Sequence, residues 1–230
     1  MNDLLQVADD VDRGHMKRAI PITTLFLDIG GVLLTNGWDH HTRKRAATTF
    51  KLEWAEMENR HRLTFEAYEV GKLTREEYLS LTVFCEERLF TLAQFRDLMF
   101  AQSKPYPEMI ELIVRLKVRH GLKIAVVSND GRELNPYRIR MFKLNGFVDS
   151  CISSCFVHLH KPDTDIFQLA LDIAQMSAHQ VVYIENTPMF VQIAEGGGIR
   201  SLLHTDYRST CVTLASFGLQ HDEGVSHEIR

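Results

Sequence analysis

The chain has 230 residues, of which 45% are hydrophobic and 24% are charged, a composition typical of a soluble globular protein. Its 26 lysines and arginines against 30 aspartates and glutamates give a formal charge of -4. They form no basic stripe, so we expect no nucleic-acid partner. No apolar run approaches the ~18 residues that span a bilayer, and the N-terminus lacks the apolar core of a secretory signal. We therefore expect no membrane partner and a cytoplasmic location, while nothing in the sequence indicates the oligomeric state.

The first half of the chain divides into a leader, a strand and a helical segment. Residues 1–20 are polar and show no sustained periodicity, which predicts a loosely ordered N-terminal leader. The apolar run in "TLFLDIGGVLL" predicts a buried strand that stops at Asp28. Residues 38 to about 104 then show only helix signals, including the capping-box patterns "TREE" and "TLAQ". We interpret residues 38–104 as an inserted helical domain.

From Pro107 onward, helix patterns alternate with short apolar strands. One helix face is marked by apolar residues at i, i+3, i+4 and i+7, namely Met109, Leu112, Ile113 and Leu116. Strand patterns follow in "LKIAVVS", near Cys151, in "VVYIE" and in "RSLLH". This alternation predicts an α/β fold with a Rossmann-like, doubly wound, mostly parallel sheet. Residues 21–37 and 105–230 would form this core, with the helical domain inserted between them.

Polar residues follow the predicted strands where each one ends. Asp28 follows the first strand, Ser128 ends the second, and Glu185 and Asn186 end a later one. In an open parallel sheet such strand ends share one edge, where ligands bind. Lys161 lies in the loop "HLHKPD", just before a predicted helix. A carboxylate, a hydroxyl, an ammonium group and a second acid are the parts of a phosphoryl-transfer site.

In order and spacing, these motifs resemble those of the haloacid dehalogenase (HAD) superfamily of hydrolases. The four matching segments are "FLDIGGVL" at Asp28, "IAVVSND" at Ser128, "KPDTDIF" at Lys161 and "VVYIENT" at Glu185. The resemblance runs from about Ile22 to Thr205, and "GKLTREEYL" is similar to a recurrent segment of the family's helical cap. Four motifs in order are a specific signal, where any one alone would be weak.

The resemblance implies a magnesium-dependent phosphatase that acts on a small phosphorylated metabolite. Asp28 would attack the phosphorus and form an aspartyl-phosphate, while Ser128 and Lys161 would hold the transferring oxygens. The implied ligands of Mg²⁺ are the Asp28 carboxylate, the Gly30 carbonyl, Glu185 and Asn186.

Two further predictions concern substrate binding. The main-chain amides of Gly30 and Gly31 would approach a phosphoryl oxygen, because glycine lets the backbone turn tightly there. Asn129 would reach the phosphate or orient Asp28, and a turn-forming role is its alternative.

The sequence also departs from the family's phosphatases. They typically carry a second Asp two residues after the nucleophile as general acid and base, and here that position is Gly30. Loss of positioned proton transfer costs ~10²- to 10⁴-fold in rate, so we expect a preference for substrates with good leaving groups. Asn186 and Met189 stand where further acids are common, which lowers the expected metal affinity. Some sugar-phosphate phosphatases of the family are similar in having Gly at the first of these positions.

Three residues at the start of the predicted cap are candidates to compensate. His40, His41 and Arg43 could face the site from above, with a histidine in place of the missing acid. As an alternative, they are solvated residues at a helix end. The first role predicts substrate-binding residues, and the second predicts no contribution to the site.

Two other functions stay open. The 2-haloacid dehalogenases of the superfamily also lack the second Asp and use no metal. They carry an aromatic hydroxyl where this chain has Phe167 and small polar residues where it has Glu185. A buried Glu without a cation is costly, which favours the metal site. The other alternative is a catalytically weak HAD domain that binds a phosphorylated ligand or a partner.

Overall fold

The computed structural model describes residues 20–220, so the predicted leader lies outside the described residues except for Ile20. Five strands form a single sheet in this range: β1 (Thr24–Leu27), β2 (Lys123–Ser128), β3 (Ser150–Ser153), β4 (Val181–Glu185) and β5 (Arg200–Leu203). Their order is β3-β2-β1-β4-β5, and every pair is parallel. The predicted Rossmann-like, doubly wound α/β fold is confirmed, with a wholly parallel sheet in the described range.

Ten α-helices accompany the sheet within residues 20–220. They are α1 (His40–Phe50), α2 (Trp54–Glu69), α3 (Arg75–Thr82), α4 (Leu92–Ala101), α5 (Pro107–His120), α6 (Leu134–Met141), α7 (Ser154–Val157), α8 (Asp165–Ala174), α9 (Pro188–Gly196) and α10 (Tyr207–Ser216). No helix in this part of the chain is both long and apolar enough to cross a membrane.

Both faces of the sheet are buried. Alternate residues of β1 point to opposite sides, so Leu25 and Leu27 join one hydrophobic cluster and Phe26 joins another. The first cluster includes apolar residues of α5 and α10, and the second includes those of α8 and α9. A strand covered on both faces needs a continuous apolar run, which explains why the strand patterns in the sequence do not alternate.

The helices α1 to α4 form a separate layer, which we call the insert (residues 40–101). It has its own hydrophobic cluster around Trp38, Tyr78 and Phe95. Both predicted capping boxes are present, at the N-termini of α3 and α4. The insert helices lie within the 38–104 range given above for the cap, and their action as a cap stays a prediction.

Two linkers connect the insert to the core and run side by side. The Thr35 amide donates to the Lys104 carbonyl at 2.8 Å, and the Tyr106 amide donates to the Leu33 carbonyl at 2.9 Å. The linker that leads into the insert therefore begins only a few residues after β1, beside the end of that strand.

Candidate active site

Asp28 is the first residue after β1, the central strand of the sheet. Its amide donates to the Ile184 carbonyl of β4 at 3.0 Å, and its side chain is buried. Burial raises the pKa of Asp28 to about 6, and the neighbouring Glu185 carboxylate adds to the rise. The charge of Lys161 and a hydrogen bond from Ser128 act in the opposite direction. Asp28 thus presents a poorly solvated carboxylate at the edge where the sequence places the site.

Lys161 joins the two acids at that edge. Its Nζ lies 3.0 Å from Asp28 Oδ1 and 2.7 Å from Glu185 Oε2, and the side chain is almost fully buried. Burial alone would lower the pKa of Lys161, but the two carboxylates together raise it, so the ammonium form is held. A fixed positive charge beside a buried carboxylate can neutralise the negative charge of a group that is being transferred.

Glu185 is fully buried, and both of its carboxylate oxygens accept hydrogen bonds. Its Oε2 accepts from Lys161 and from the Tyr183 hydroxyl, and its Oε1 accepts from the amides of Asn186 and Thr187 at 2.9 Å each. Its predicted role as a metal ligand stays a prediction, since a cation would have to replace one of these donors. In the structure its direct contact is with Lys161.

Tyr183 is a site residue that the sequence reasoning missed. Its hydroxyl lies 3.1 Å from Lys161 Nζ and also contacts Glu185. The available signal was a tyrosine inside the otherwise apolar run "VVYIE", because a buried tyrosine hydroxyl needs a partner. Phe167 packs against the Tyr183 ring, with centroids 5.2 Å apart. An aromatic hydroxyl therefore reaches Lys161 from β4, although position 167 offers none.

The two glycines that follow Ile29 face different neighbours. Gly31 has φ of +76°, and a Cβ there would lie 2.0 Å from the Asn186 carboxamide. Gly30 has an ordinary φ, and a Cβ there would lie 3.3 Å from Asn36 Oδ1. A side chain at position 31 is thus excluded, whereas one at position 30 needs Asn36 to shift by a few tenths of an ångström.

The Asn186 carboxamide bridges two oxygens of the site. When the carboxamide is oriented to hydrogen-bond with its neighbours, Nδ2 donates to Glu185 Oε1 at 3.0 Å and to the Gly30 carbonyl at 3.2 Å. The opposite orientation directs Oδ1 at the same two oxygens, which only a cation would stabilise. With the Asp28 carboxylate, this gives a set of hard oxygen donors that fits a magnesium ion completed by water and phosphate. The carboxamide and main-chain oxygens are needed for this set, because residues 20–220 contain no group of three or more His, Cys, Asp or Glu side chains that could hold a metal by themselves.

Ser128 and Asn129 lie at the end of β2. Ser128 is buried, and its hydroxyl lowers the pKa of Asp28. The Asn129 side chain holds the loop that carries Lys161, accepting from the Lys161 amide at 2.8 Å and donating to its carbonyl at 2.8 Å. Asn129 therefore positions the lysine in the structure, and its contact with a substrate stays a prediction.

The three insert candidates lie at the start of α1. The Arg43 guanidinium is buried and donates to Glu58 at 2.9 and 2.7 Å and to the Trp38 carbonyl at 2.8 Å. His40 and His41 are exposed, and the His40 ring packs edge-on against Trp54. The substrate-binding roles of all three stay predictions. The side-chain partners of Arg43 and His40, Glu58 and Trp54, belong to the insert, and Trp38 lies just before it.

A cavity of about 240 Å³ lies between the insert and the core, next to these residues. Its lining includes Asn36, Asn129, which follows Ser128 at the end of β2, and Arg43, Tyr68 and Glu69 from the insert. Glu69, at the end of α2, is a second residue that the sequence did not reveal. Its approach to Asn129 joins residues 60 positions apart, which no local pattern marks.

Comparisons with known proteins agree with this architecture. The chain is 28% identical over 87 residues to (S)-2-haloacid dehalogenase 4A of Burkholderia cepacia, covering 38% of this chain and 37% of that protein. It is 28% identical over 100 residues to a protein named pyrophosphatase PpaX of Caldanaerobacter subterraneus, covering 44% of this chain and 45% of that protein. The chain thus spans less than half the length of these two relatives.

A solved structure shares the fold. It is the HAD family enzyme bt-2542 of Bacteroides thetaiotaomicron, in complex with magnesium and inorganic phosphate. The TM-score is 0.66 at 17% identity, covering 79% of this chain and 93% of that one.

The order of the sheet and the residues at its edge agree with the resemblance noted in the sequence. The family model for haloacid dehalogenase-like hydrolases matches residues 22–198, which is most of the chain. The chain belongs to the haloacid dehalogenase-like hydrolase family.

Proposed function

We propose that this protein is a magnesium-dependent phosphatase that hydrolyses a small phosphorylated metabolite through an aspartyl-phosphate on Asp28. The observation that carries the proposal is the buried ion pair of Lys161 with Glu185, 2.7 Å apart, beside Asp28. A fully buried carboxylate at this position fixes the lysine charge next to the nucleophile, where a phosphoryl group would be neutralised. Support also comes from the magnesium and phosphate complex of the bt-2542 fold relative and from the relative named as a pyrophosphatase.

Each residue then has a defined task. Asp28 attacks the phosphorus in line with the leaving oxygen, while Lys161 and Ser128 hold the transferring oxygens. The amides after Asp28 face the phosphoryl group, and Gly31 permits the tight turn. When bound by Asp28, the Gly30 carbonyl and Asn186, with Glu185 close by, Mg²⁺ would supply positive charge to the phosphoryl oxygens. Water then cleaves the aspartyl-phosphate and restores Asp28.

The insert has a part in the same proposal. It lines the cavity beside Asn129, where the leaving group of the substrate would lie. We propose that it acts as a cap that excludes water and selects the substrate.

Two observations favour a second candidate, hydrolytic dehalogenation of a 2-haloacid. The Tyr183 hydroxyl reaches Lys161, so an aromatic hydroxyl is present near the lysine although Phe167 lacks one. The Asn186 amide also completes the contacts of Glu185 and Gly30 without a cation. Halide leaves as an anion and needs no proton, which suits a site with glycine at position 30. One relative of the chain is named as a haloacid dehalogenase.

The two candidates differ in product and in metal requirement. Purified protein should be incubated with a panel of phosphate esters and with 2-haloacids, each with magnesium and with a chelator. The proposal predicts phosphate release that stops with the chelator. Halide release that continues in the chelator would replace it with the second candidate. If neither product forms, a melting temperature that rises with inorganic phosphate would indicate a binding domain instead.

A further inference from the structure

The cavity between the insert and the core brings several carboxylates towards the catalytic edge. Asp39, Glu69 and Asp130 line it, together with Asn36. Asn36 Oδ1 lies 3.3 Å from the point where a side chain at Gly30 would begin. A leaving group in this cavity would therefore be close both to the place of the missing acid and to these three carboxylates.

Two of the three carboxylates already have structural partners. Asp39 caps α1, where its Oδ1 accepts from the Thr42 amide at 2.8 Å. Asp130 is buried and its Oδ2 lies 3.2 Å from the Arg138 guanidinium, which is buried as well. Each of these two carboxylates would have to give up this partner before it could serve a leaving group in the cavity.

Glu69 differs from both because its contacts are long and its side chain reaches solvent. Its Oε2 lies 3.3 Å from Asn129 Nδ2 and 3.4 Å from His160 Nδ1, and the side chain is 17% exposed. Asn129 in turn holds the backbone of Lys161 by two hydrogen bonds. Glu69 is thus one side chain away from the catalytic loop, at the end of the insert helix α2.

We propose that Glu69 is the general acid and base of this enzyme, supplying from the insert the proton transfer that Gly30 cannot supply from the core. The inference rests on the phosphatase function proposed above. In the first step, an Asp28 oxygen bonds to phosphorus as the bond from phosphorus to the leaving oxygen breaks, and the Glu69 carboxylic acid gives its proton to that oxygen. In the second, water attacks the phosphorus, the bond to Asp28 breaks, and the Glu69 carboxylate takes the water proton, which restores both residues and frees phosphate.

The surroundings of Glu69 are compatible with this role. Burial raises the pKa of Glu69, which favours the protonated form that a general acid needs. The titratable groups that face it are His160 and Lys161, which oppose the rise in its pKa, and Asp130, which adds to it. Glu66, one helical turn earlier, lies 3.9 Å from His160 but is 79% exposed. It is therefore a matched control that shares the helix and the histidine but not the cavity.

The test is the dependence of kcat/KM on the pKa of the leaving group, measured with aryl and alkyl phosphates of similar size. This constant reports phosphoryl transfer to Asp28 and not the later hydrolysis. If Glu69 supplies the proton, the wild type should depend weakly on leaving-group pKa, in place of the preference for good leaving groups that Gly30 alone predicts. Glu69→Gln should keep the aryl phosphate rate within a few-fold but lose ~10²- to 10⁴-fold on the alkyl phosphate. Glu66→Gln should behave like wild type.

A rescue variant strengthens the test. Gly30→Asp combined with Glu69→Gln places a carboxyl group at the position that is glycine in this chain, and it should recover part of the alkyl phosphate activity. If Glu69→Gln matches wild type on both substrates, or loses both equally, Glu69 is not the acid while the phosphatase function stands. If the wild-type protein cleaves no phosphate ester, the proposed function fails and this inference fails with it.

Discussion

The two sides of Asp28 are built from different chemistry. On one side Lys161 and Glu185 form a buried ion pair, completed by the Tyr183 hydroxyl and two main-chain amides. On the other side lie the Gly30 carbonyl and the carboxamides of Asn36 and Asn186, which carry no formal charge. In the proposed mechanism, the charged groups of the core would bind the anion, whereas proton transfer and metal binding would depend on the uncharged groups, on Glu69 of the insert and on ions from solution.

Replacing Asp28, the proposed nucleophile, should have the largest effect. Asp28→Asn keeps the shape of the side chain but removes the attacking oxygen, so we expect a loss of activity on the order of 10⁴-fold or more. The melting temperature should not fall, because burial already raises the pKa of Asp28 and a neutral amide avoids that cost. Activity near the wild-type value in a folded variant would remove Asp28 from the mechanism.

The charged side depends on the positive charge of Lys161, which a substitution can remove. Lys161→Met would leave the fully buried Glu185 without its ion-pair partner and should lower the free energy of unfolding by about 3–5 kcal/mol. Urea unfolding at neutral pH measures this change. The exposed Lys104→Met is the control, with an expected change within about 0.5 kcal/mol. Adding Glu185→Gln to Lys161→Met should restore part of the stability, and equal effects of the two lysine variants would contradict the account.

The insert contains a buried titratable group, His61, that stays neutral in the folded protein at neutral pH. Burial, reinforced by Arg43, lowers the pKa of His61 from 6.5 to about 4, and its Nδ1 lies 2.8 Å from the Tyr78 hydroxyl. As the pH falls below about 6.5 the unfolded chain takes up a proton that the folded protein accepts only near pH 4. Wild type should therefore lose roughly 3 kcal/mol of stability across this window.

Urea unfolding at a series of pH values tests the contribution of His61. His61→Gln should remove most of this slope, whereas the exposed His40→Gln should keep it. An unchanged slope in His61→Gln would show that other groups cause the acid sensitivity.

On the uncharged side, a substitution at Asn186 can add a negative charge. Asn186→Asp loses the donation to Glu185 Oε1 and to the Gly30 carbonyl, so the metal-free protein should melt at a lower temperature. A carboxylate there should also tighten magnesium binding roughly tenfold, or about 1.4 kcal/mol. Calorimetry and the rise of melting temperature with magnesium both measure this. If the affinity does not change, residue 186 is not a metal ligand.

The fold was predictable because its strands are buried on both faces. Runs such as those of β2 and β4 stay apolar over their whole length, and the break at Asp28 marks the end of β1 in the sequence as in the structure. The four HAD motifs could be found because each of them lies at the end of a strand or in a loop that comes after one. The family assignment drawn from them is confirmed by the family model.

Other parts of the site depend on contacts that no local pattern contains. Glu69 reaches Asn129 only through the docking of α2 on the core. The Asn129 side chain was expected near the phosphate, yet in the structure it pairs with the backbone of Lys161, 32 positions away. The orientation of the Asn186 carboxamide follows from its neighbours Gly30 and Glu185, which only the folded chain brings together.

The covalent intermediate on Asp28 tests the central claim most directly. Wild-type protein quenched during turnover of a phosphate ester with magnesium should yield an Asp28-containing peptide heavier by one phosphoryl group in mass spectrometry, and Asp28→Asn should not. The same experiment with a 2-haloacid should leave this peptide unmodified. A peptide that is unmodified by phosphate esters, but in which an Asp28 oxygen is bonded to C2 of the acid after loss of halide, would contradict the phosphatase account and establish dehalogenation.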